Sequence, residues 1–135
     1  MEHLSVIVEG WSAEAATDLE AAMAHDTQYG LDGLRRDVMA GKVILLGVYE
    51  RGQRAGTLCL RLDVFNHGVD GVLVAQGGRL QCGMAHKLLV PPMEALLMAG
   101  GASRMRIHTT RAGAVRSLEH QGFKQDHIVM VKDLL

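Results

Sequence analysis

The stretch RAGAVRSLEHQGF, residues 111–123, decides how the chain is read. Residues 112–120 carry a helical pattern that stops at Gly122-Phe123, and a strand-like run, HIVMVK, follows at residues 127–132. Just upstream, SRMRIHT at residues 103–109 alternates, with Met105 and Ile107 on one face. A strand, a helix and a strand therefore end the chain. Glycine after a last helical turn is an ordinary stop, so the tail takes its meaning from what precedes it.

Working outward, residues 87–99 read as a helix through Leu88, Leu89, Met93, Leu96 and Leu97, closed by Gly100-Gly101. Pro91-Pro92 interrupts the pattern, so the helix either bends there or begins there. Before it lies the glycine-rich stretch QGGRLQCGMAH, residues 76–86, and before that a strand, VLVA, at residues 72–75. From Leu58 the pattern alternates. Leu58, Leu60, Leu62 and Val64 share one face, and Cys59, Arg61, Asp63 and Phe65 the other, as in a half-buried antiparallel strand. The β-branched run KVILLGVYE, residues 42–50, is a strand joined to it through Arg51-Gly52-Gln53. Two helices precede that strand. One follows a Ser12 cap, with Glu14 and Asp18 at its positive end and Ala16, Leu19 and Met23 on one face. The other carries Leu31, Leu34 and Val38 and stops at Gly41. Residues 4–8 form the first strand. The expected order is β-α-α-β-β-β-α-β-α-β. That is an α/β layered domain whose mixed, mostly antiparallel central sheet is flanked by helices.

The chain has 135 residues, 48% apolar, with a net charge of −1, which suits one folded domain over residues 1–135. Scattered charges give no footprint for nucleic acid, and no apolar run reaches the roughly 20 residues that span a bilayer. The N-terminal residues carry no readable secretory signal, so a cytoplasmic protein is expected. Cys59 and Cys82 lack metal spacing and read as reduced thiols. The seven histidines show no ligand spacing, and no metal is expected.

The element order and the tail resemble the GNAT superfamily, the GCN5-related N-acetyltransferases. Residues 102–110 look like that family's fifth strand and residues 112–123 like its fourth helix. The family commonly closes that helix with A-x-x-L-Y-E-K-x-G-F. Ala114, Ser117, Glu119, Gly122 and Phe123 stand in the corresponding places, with Ser117 where the family has Leu. A second family signature, Q/R-x-x-G-x-G/A, lies between the fourth strand and the third helix. Gln81 falls on its first position. Met84 and His86 fall on its two small positions, with Gly83 and Ala85 one residue early.

The resemblance implies an acyl-CoA-dependent N-acyltransferase, using acetyl-CoA or another acyl-CoA as substrate. Its acceptor would be a small-molecule amine or a protein amine. It places the cofactor on Gln81, Cys82, Gly83, Met84, Ala85 and His86, whose amides would meet the pyrophosphate. Arg111, before the fourth helix, either holds a phosphate or lies on the surface of the turn. Leu118 stands where many relatives have a tyrosine acid. Asp70, just before VLVA, and His108, near the end of the fifth strand, are the candidate catalytic residues. An unperturbed histidine pKa of about 6.5 suits proton transfer at neutral pH. Alternation alone makes His108 a surface residue beside Arg104 and Arg106. The rival reading is a GNAT-fold binding or assembly module without catalysis, of cellular or viral origin. A homodimer is left open.

Overall fold

The computed structural model describes residues 4–24, 28–79, 82–108, 112–126, 130 and 132–134, with the backbone alone for residues 82–86, 112 and 113. Among them the elements run β1 (Leu4–Glu9), α1 (Ala13–Met23), α2 (Gly30–Met39), β2 (Ile44–Glu50), β3 (Gln53–Phe65), β4 (Gly68–Gly78), α3 (Cys82–Ala99), β5 (Arg104–Ile107) and α4 (Ala112–Glu119). The strands stand side by side in chain order. β1 to β4 are antiparallel, and β5 joins β4 in parallel after the α3 crossover.

Alternation along the strands builds a core on each face of the sheet. Leu45, Cys59 and Ala75 pack with Ala15 and Leu19 of α1 and Leu34 of α2. Leu46, Leu58, Leu60 and Leu73 pack on the other face with Leu89, Val90, Met93 and Leu97 of α3 and Leu118 of α4. Met105, Ile107 and Phe123 join this second cluster, so the inward face expected for β5 is correct. Val64 keeps the face of Leu60 and Leu62 but is exposed, paired with Val69 near the β3–β4 turn.

Local chemistry sets the boundaries. The Ser12 hydroxyl accepts from the Ala15 N–H at 3.1 Å and caps α1. Glu50 pairs with Gln53 across a two-residue turn in which Arg51 and Gly52 both have positive φ, the hairpin geometry that matches strand twist. Three helices end in one way. Gly41, Gly101 and Gly122 adopt positive φ, and the next residue's N–H reaches back five residues: Lys42 to Asp37, Ala102 to Leu97, Phe123 to Leu118. The Gly-Phe ending of α4 is thus one of three equivalent helix stops.

Two sequence expectations change, and a third falls mostly outside the described residues. α3 runs unbroken through Pro91 and Pro92. Both prolines are exposed, and each removes the N–H that would donate to the carbonyl four residues back, Lys87 and Leu88. β4 extends from Gly68 to Gly78, beyond the expected residues 72–75, and Asp70 lies within it. Its glycines lower strand propensity yet serve helix packing. A Cβ on Gly71 would meet Leu97 at 2.6 Å, and one on Gly77 would meet the Asp18 carbonyl of α1 at 1.9 Å. Finally, of the strand expected over residues 128–132, only Met130 and Lys132 are described, and neither is in strand.

Candidate functional site

β4 and β5 pair only from Asp70↔Arg104 to Leu73↔Ile107. At that point the β3–β4 register jumps from Leu60↔Leu73 to Cys59↔Ala75, leaving Val74 as an extra residue on β4. Such a bulge bends its strand and sharpens the local twist. The bulge thus falls directly after the last β4–β5 pair, Leu73↔Ile107. Residues 74–78 continue on β3 with no strand on their other side among the described residues. Their outward backbone groups have no strand partner among the described residues. α3 begins at Cys82, shortly past the end of β4. The first amides of a helix have no partner within it, and the helix dipole puts partial positive charge there.

The sequence-nominated residues divide across this geometry. Gln81 and Arg111 lie outside the described residues. Cys82, Gly83, Met84, Ala85 and His86 form the opening of α3 by their backbone. His108 directly follows β5, exposed, where the two strands part. Asp70 sits at the paired end of β4, about 26 Å along the strand from Gly78 at about 3.3 Å per residue. The structure does not bring Asp70 and His108 together.

Asp70 belongs to a lattice of ion pairs. Arg104 holds it in a fork, Nε to Oδ1 at 3.1 Å and Nη2 to Oδ2 at 2.7 Å. Arg106 Nε lies 2.9 Å from Oδ2, a charge contact without hydrogen-bond alignment. Arg106 Nη2 also donates to Asp63 at 2.7 Å, and Arg61 forks onto Asp63 at 2.6 and 3.1 Å. Asp63 and Asp70 face each other across β3 and β4. Like charges in that register destabilise a sheet unless cations offset them, and the three arginines do so. The hydrogen bonds from Arg104 hold the Asp70 carboxyl below the usual carboxylate range, against its burial, with Arg106 and His67 adding charge. Asp70 is 1% exposed. Enclosed and stabilised as the anion, it is a poor proton acceptor.

A second polar cluster joins α1 to β1, β2 and β3. Arg54 donates to Glu9 at 2.7 Å, to Asp18 at 3.2 Å and to the Thr57 hydroxyl at 2.7 Å. Thr57 donates to Asp18 at 2.8 Å, and Tyr49 donates to Glu9. Burial would raise the Glu9 pKa, but the hydrogen bonds from Tyr49 and Arg54 lower it overall. Asp18 lies within α1 rather than at its positive end, where only Glu14 stands, and Arg54 carries no signal in the sequence. A threonine on the inward face of a strand was the one available signal. An open depression of about 640 Å³ lies over Glu9, Ser12, Glu14 and Tyr49, and another of about 690 Å³ over Tyr29, Asp32 and Arg35. Cys59 is buried, which pushes its thiol up to about 12 and makes it unreactive. Among the described residues, no cluster of His, Cys, Asp and Glu is arranged to hold a metal, and no helix is long and apolar enough to cross a membrane.

No protein-family model matches the chain, and neither does any curated protein sequence. Solved structures do. An acetyltransferase from Trypanosoma brucei superposes with a TM-score of 0.65 at 14% identity, over 98% of this chain and 100% of that one. Glucosamine-6-phosphate N-acetyltransferase from Arabidopsis thaliana gives 0.67 at 13% identity, covering 98% and 99%. The protein AAC(6')-Iy, in complex with a CoA bisubstrate analogue, gives 0.67 at 15% identity, covering 99% and 100%. The chain has the GNAT fold. Within that fold, β4 beyond Leu73 has no strand on its outer edge among the described residues, and α3 opens shortly past it.

Proposed function

We propose that the chain is an acyl-CoA-dependent N-acyltransferase that moves an acetyl group from acetyl-CoA to an amine. One observation carries the reading: β4 has a bulge at Val74 and, among the described residues, no strand on its outer edge beyond Leu73, and this edge leads to the opening of α3. This pairing of features suits a CoA thioester. The α3 amides would accept the pyrophosphate, and the free edge of β4 would bond the amide-bearing arm. The structural neighbours support it, since AAC(6')-Iy binds a CoA bisubstrate analogue and the Arabidopsis protein is an N-acetyltransferase by name. They also favour a small-molecule amine as acceptor.

In this reading the amine nitrogen attacks the thioester carbonyl. An N–C bond forms, the C–S bond breaks, and CoA leaves as the thiolate. Outward N–H groups of residues 74–78 polarise the carbonyl oxygen. His108, directly after β5, takes the amine proton directly or through water. Leu118 is buried in the core and donates nothing to the thiolate, which takes its proton from solvent. Holding the amine beside the thioester supplies much of the rate. Asp70, enclosed by Arg104 and Arg106 at the far end of β4, has no part in it.

Thermal unfolding with acetyl-CoA, desulfo-CoA and ATP tests the reading. A ligand at 100 times its Kd stabilises the native state by about 2.7 kcal/mol, about 10 °C for a domain of this size. A shift with both CoA compounds and none with ATP is expected. No shift at millimolar CoA overturns the reading in favour of a GNAT-fold module without catalysis.

A further inference from the structure

Asp18 makes an unusual contact for a helical residue. Its backbone lies directly on the backbone of β4, where a Cβ on Gly77 would come within 1.9 Å of its carbonyl oxygen. Its carboxylate is held at the same spot by the Thr57 hydroxyl at 2.8 Å and by Arg54 Nε at 3.2 Å. Thr57 is 0% exposed and pairs with Gly77 across the sheet. Its hydroxyl is fully used, accepting from Arg54 and donating to Asp18. Arg54 also reaches the chain beyond β4: Arg79 Nη2 donates to the Arg54 carbonyl at 2.7 Å, and the Arg79 N–H donates to the Ala55 carbonyl at 2.8 Å. Gly78 sits so close to β3 that a Cβ there would meet the Gly56 Cα at 2.6 Å.

These contacts converge on residues 77–79, the last described residues before α3 opens at Cys82. Consecutive Cα atoms are about 3.8 Å apart, so a fixed Arg79 keeps Cys82 within about 11 Å. Nothing in core packing demands a half-buried Arg-Asp pair on a buried threonine here. An apolar contact between α1 and β4 would be less costly to desolvate. A hydrogen-bonded fork, however, defines one geometry where apolar packing tolerates several.

We infer that Asp18, Arg54 and Thr57 are positioning residues for the cofactor. They lock the end of β4 under α1 and so fix where the opening amides of α3 meet the CoA pyrophosphate. The inference rests on the acyl-CoA reading above and assigns that site its supporting shell. None of the three touches the cofactor.

The test is CoA affinity by titration calorimetry on the full chain, with the unfolding temperature measured in parallel. Thr57→Val keeps the shape and removes the hydroxyl. Arg54→Lys keeps the charge and removes the fork. Val43→Ala, in the core beside α2, is the control that lowers stability without touching the cluster. Both cluster variants are expected to weaken CoA binding between about tenfold and a hundredfold, the loss of about one hydrogen bond to a charged group. The control should bind as wild type at an equal or lower unfolding temperature. Should Thr57→Val fail to fold, Arg54→Lys carries the test alone. Cluster variants that bind CoA as tightly as wild type overturn the inference and leave the function standing. A wild-type chain that binds no CoA overturns both.

Discussion

The two ends of β4 are built on opposite rules. At one end, Asp70 to Leu73 pair with β5, and side chains close the surface: Arg61, Asp63, Asp70, Arg104 and Arg106 satisfy one another. At the other end, past Val74, the strand has glycines, no strand partner on its outer edge among the described residues, and a helix N-terminus beyond it. One end spends its polar groups on itself, and the other leaves backbone groups available. A site for a polar ligand needs the second arrangement, and a rigid second arrangement needs the first beside it.

The largest effect is expected from closing the contact that shapes the open end. Gly77→Val drives side-chain carbon into the Asp18 carbonyl, which belongs to helix backbone and cannot rotate away. A loss of about 3 kcal/mol or more is expected, the upper end for overpacking, or about 12 °C in unfolding temperature. Stability near wild type would mean that α1 can lift off β4, and the end of the strand is less fixed than described.

His108→Ala probes the open end without disturbing its frame. A proton acceptor contributes about a hundredfold or more to rate, while an exposed residue changes stability by about 0.5 kcal/mol at most. Acetyl transfer should fall about a hundredfold in kcat, with KM for acetyl-CoA and the unfolding temperature unchanged. Unchanged kcat would return His108 to the surface residue that alternation alone describes.

The closed end should declare itself through pH. Asp70 and Asp63 both have lowered pKa values, through hydrogen bonds from Arg104 and Arg61 respectively. A carboxylate with a lower pKa in the folded state adds stability above its unfolded pKa, near 3.9, and loses it as pH falls through the folded value. The unfolding temperature should therefore drop as pH falls below about 4. Asp70→Asn should lower it at neutral pH and flatten this acid limb, because one titrating group is gone. An acid limb as steep as in wild type would show that the lattice does not depend on Asp70. CoA binding at neutral pH should survive in this variant, which separates the two ends.

Much of this was legible in the sequence, and the exceptions share a cause. Caps and helix stops are local, so Ser12, Gly41, Gly101 and Gly122 could be read directly from their neighbours. The faces of β3 followed from alternation as far as Leu62. What could not be read depends on register and on approach between distant elements. The Val74 bulge exists only relative to Cys59 and Leu60. Gly71 and Gly77 look like strand breakers until Leu97 and Asp18 are seen pressing on them. Asp70 looked like a free carboxylate because the arginines that enclose it stand 34 and 36 positions later. The Gly-Phe tail, which pointed to the fold, is by itself the commonest part: two other helices stop the same way.

The smallest effect should come from the rim of the closed end. Arg61 forks onto Asp63, but Arg61 is 40% exposed and Asp63 keeps Arg106 as a second partner at 2.7 Å. Exposed pairs contribute about 1 kcal/mol or less and are screened by salt. Arg61→Ala should cost no more than about 4 °C, and most of that difference should vanish when salt is raised from about 0.05 to 0.5 M. The pair is informative because of what a larger loss would mean. Removing Arg61 leaves Asp63 and Asp70 face to face with two arginines from β5 alone. If those suffice, the lattice is a sum of pairs and β5 carries it. A loss well above 1 kcal/mol that salt does not relieve would make the five charges one cooperative unit. The paired end would then be anchored through β3 as well as β5.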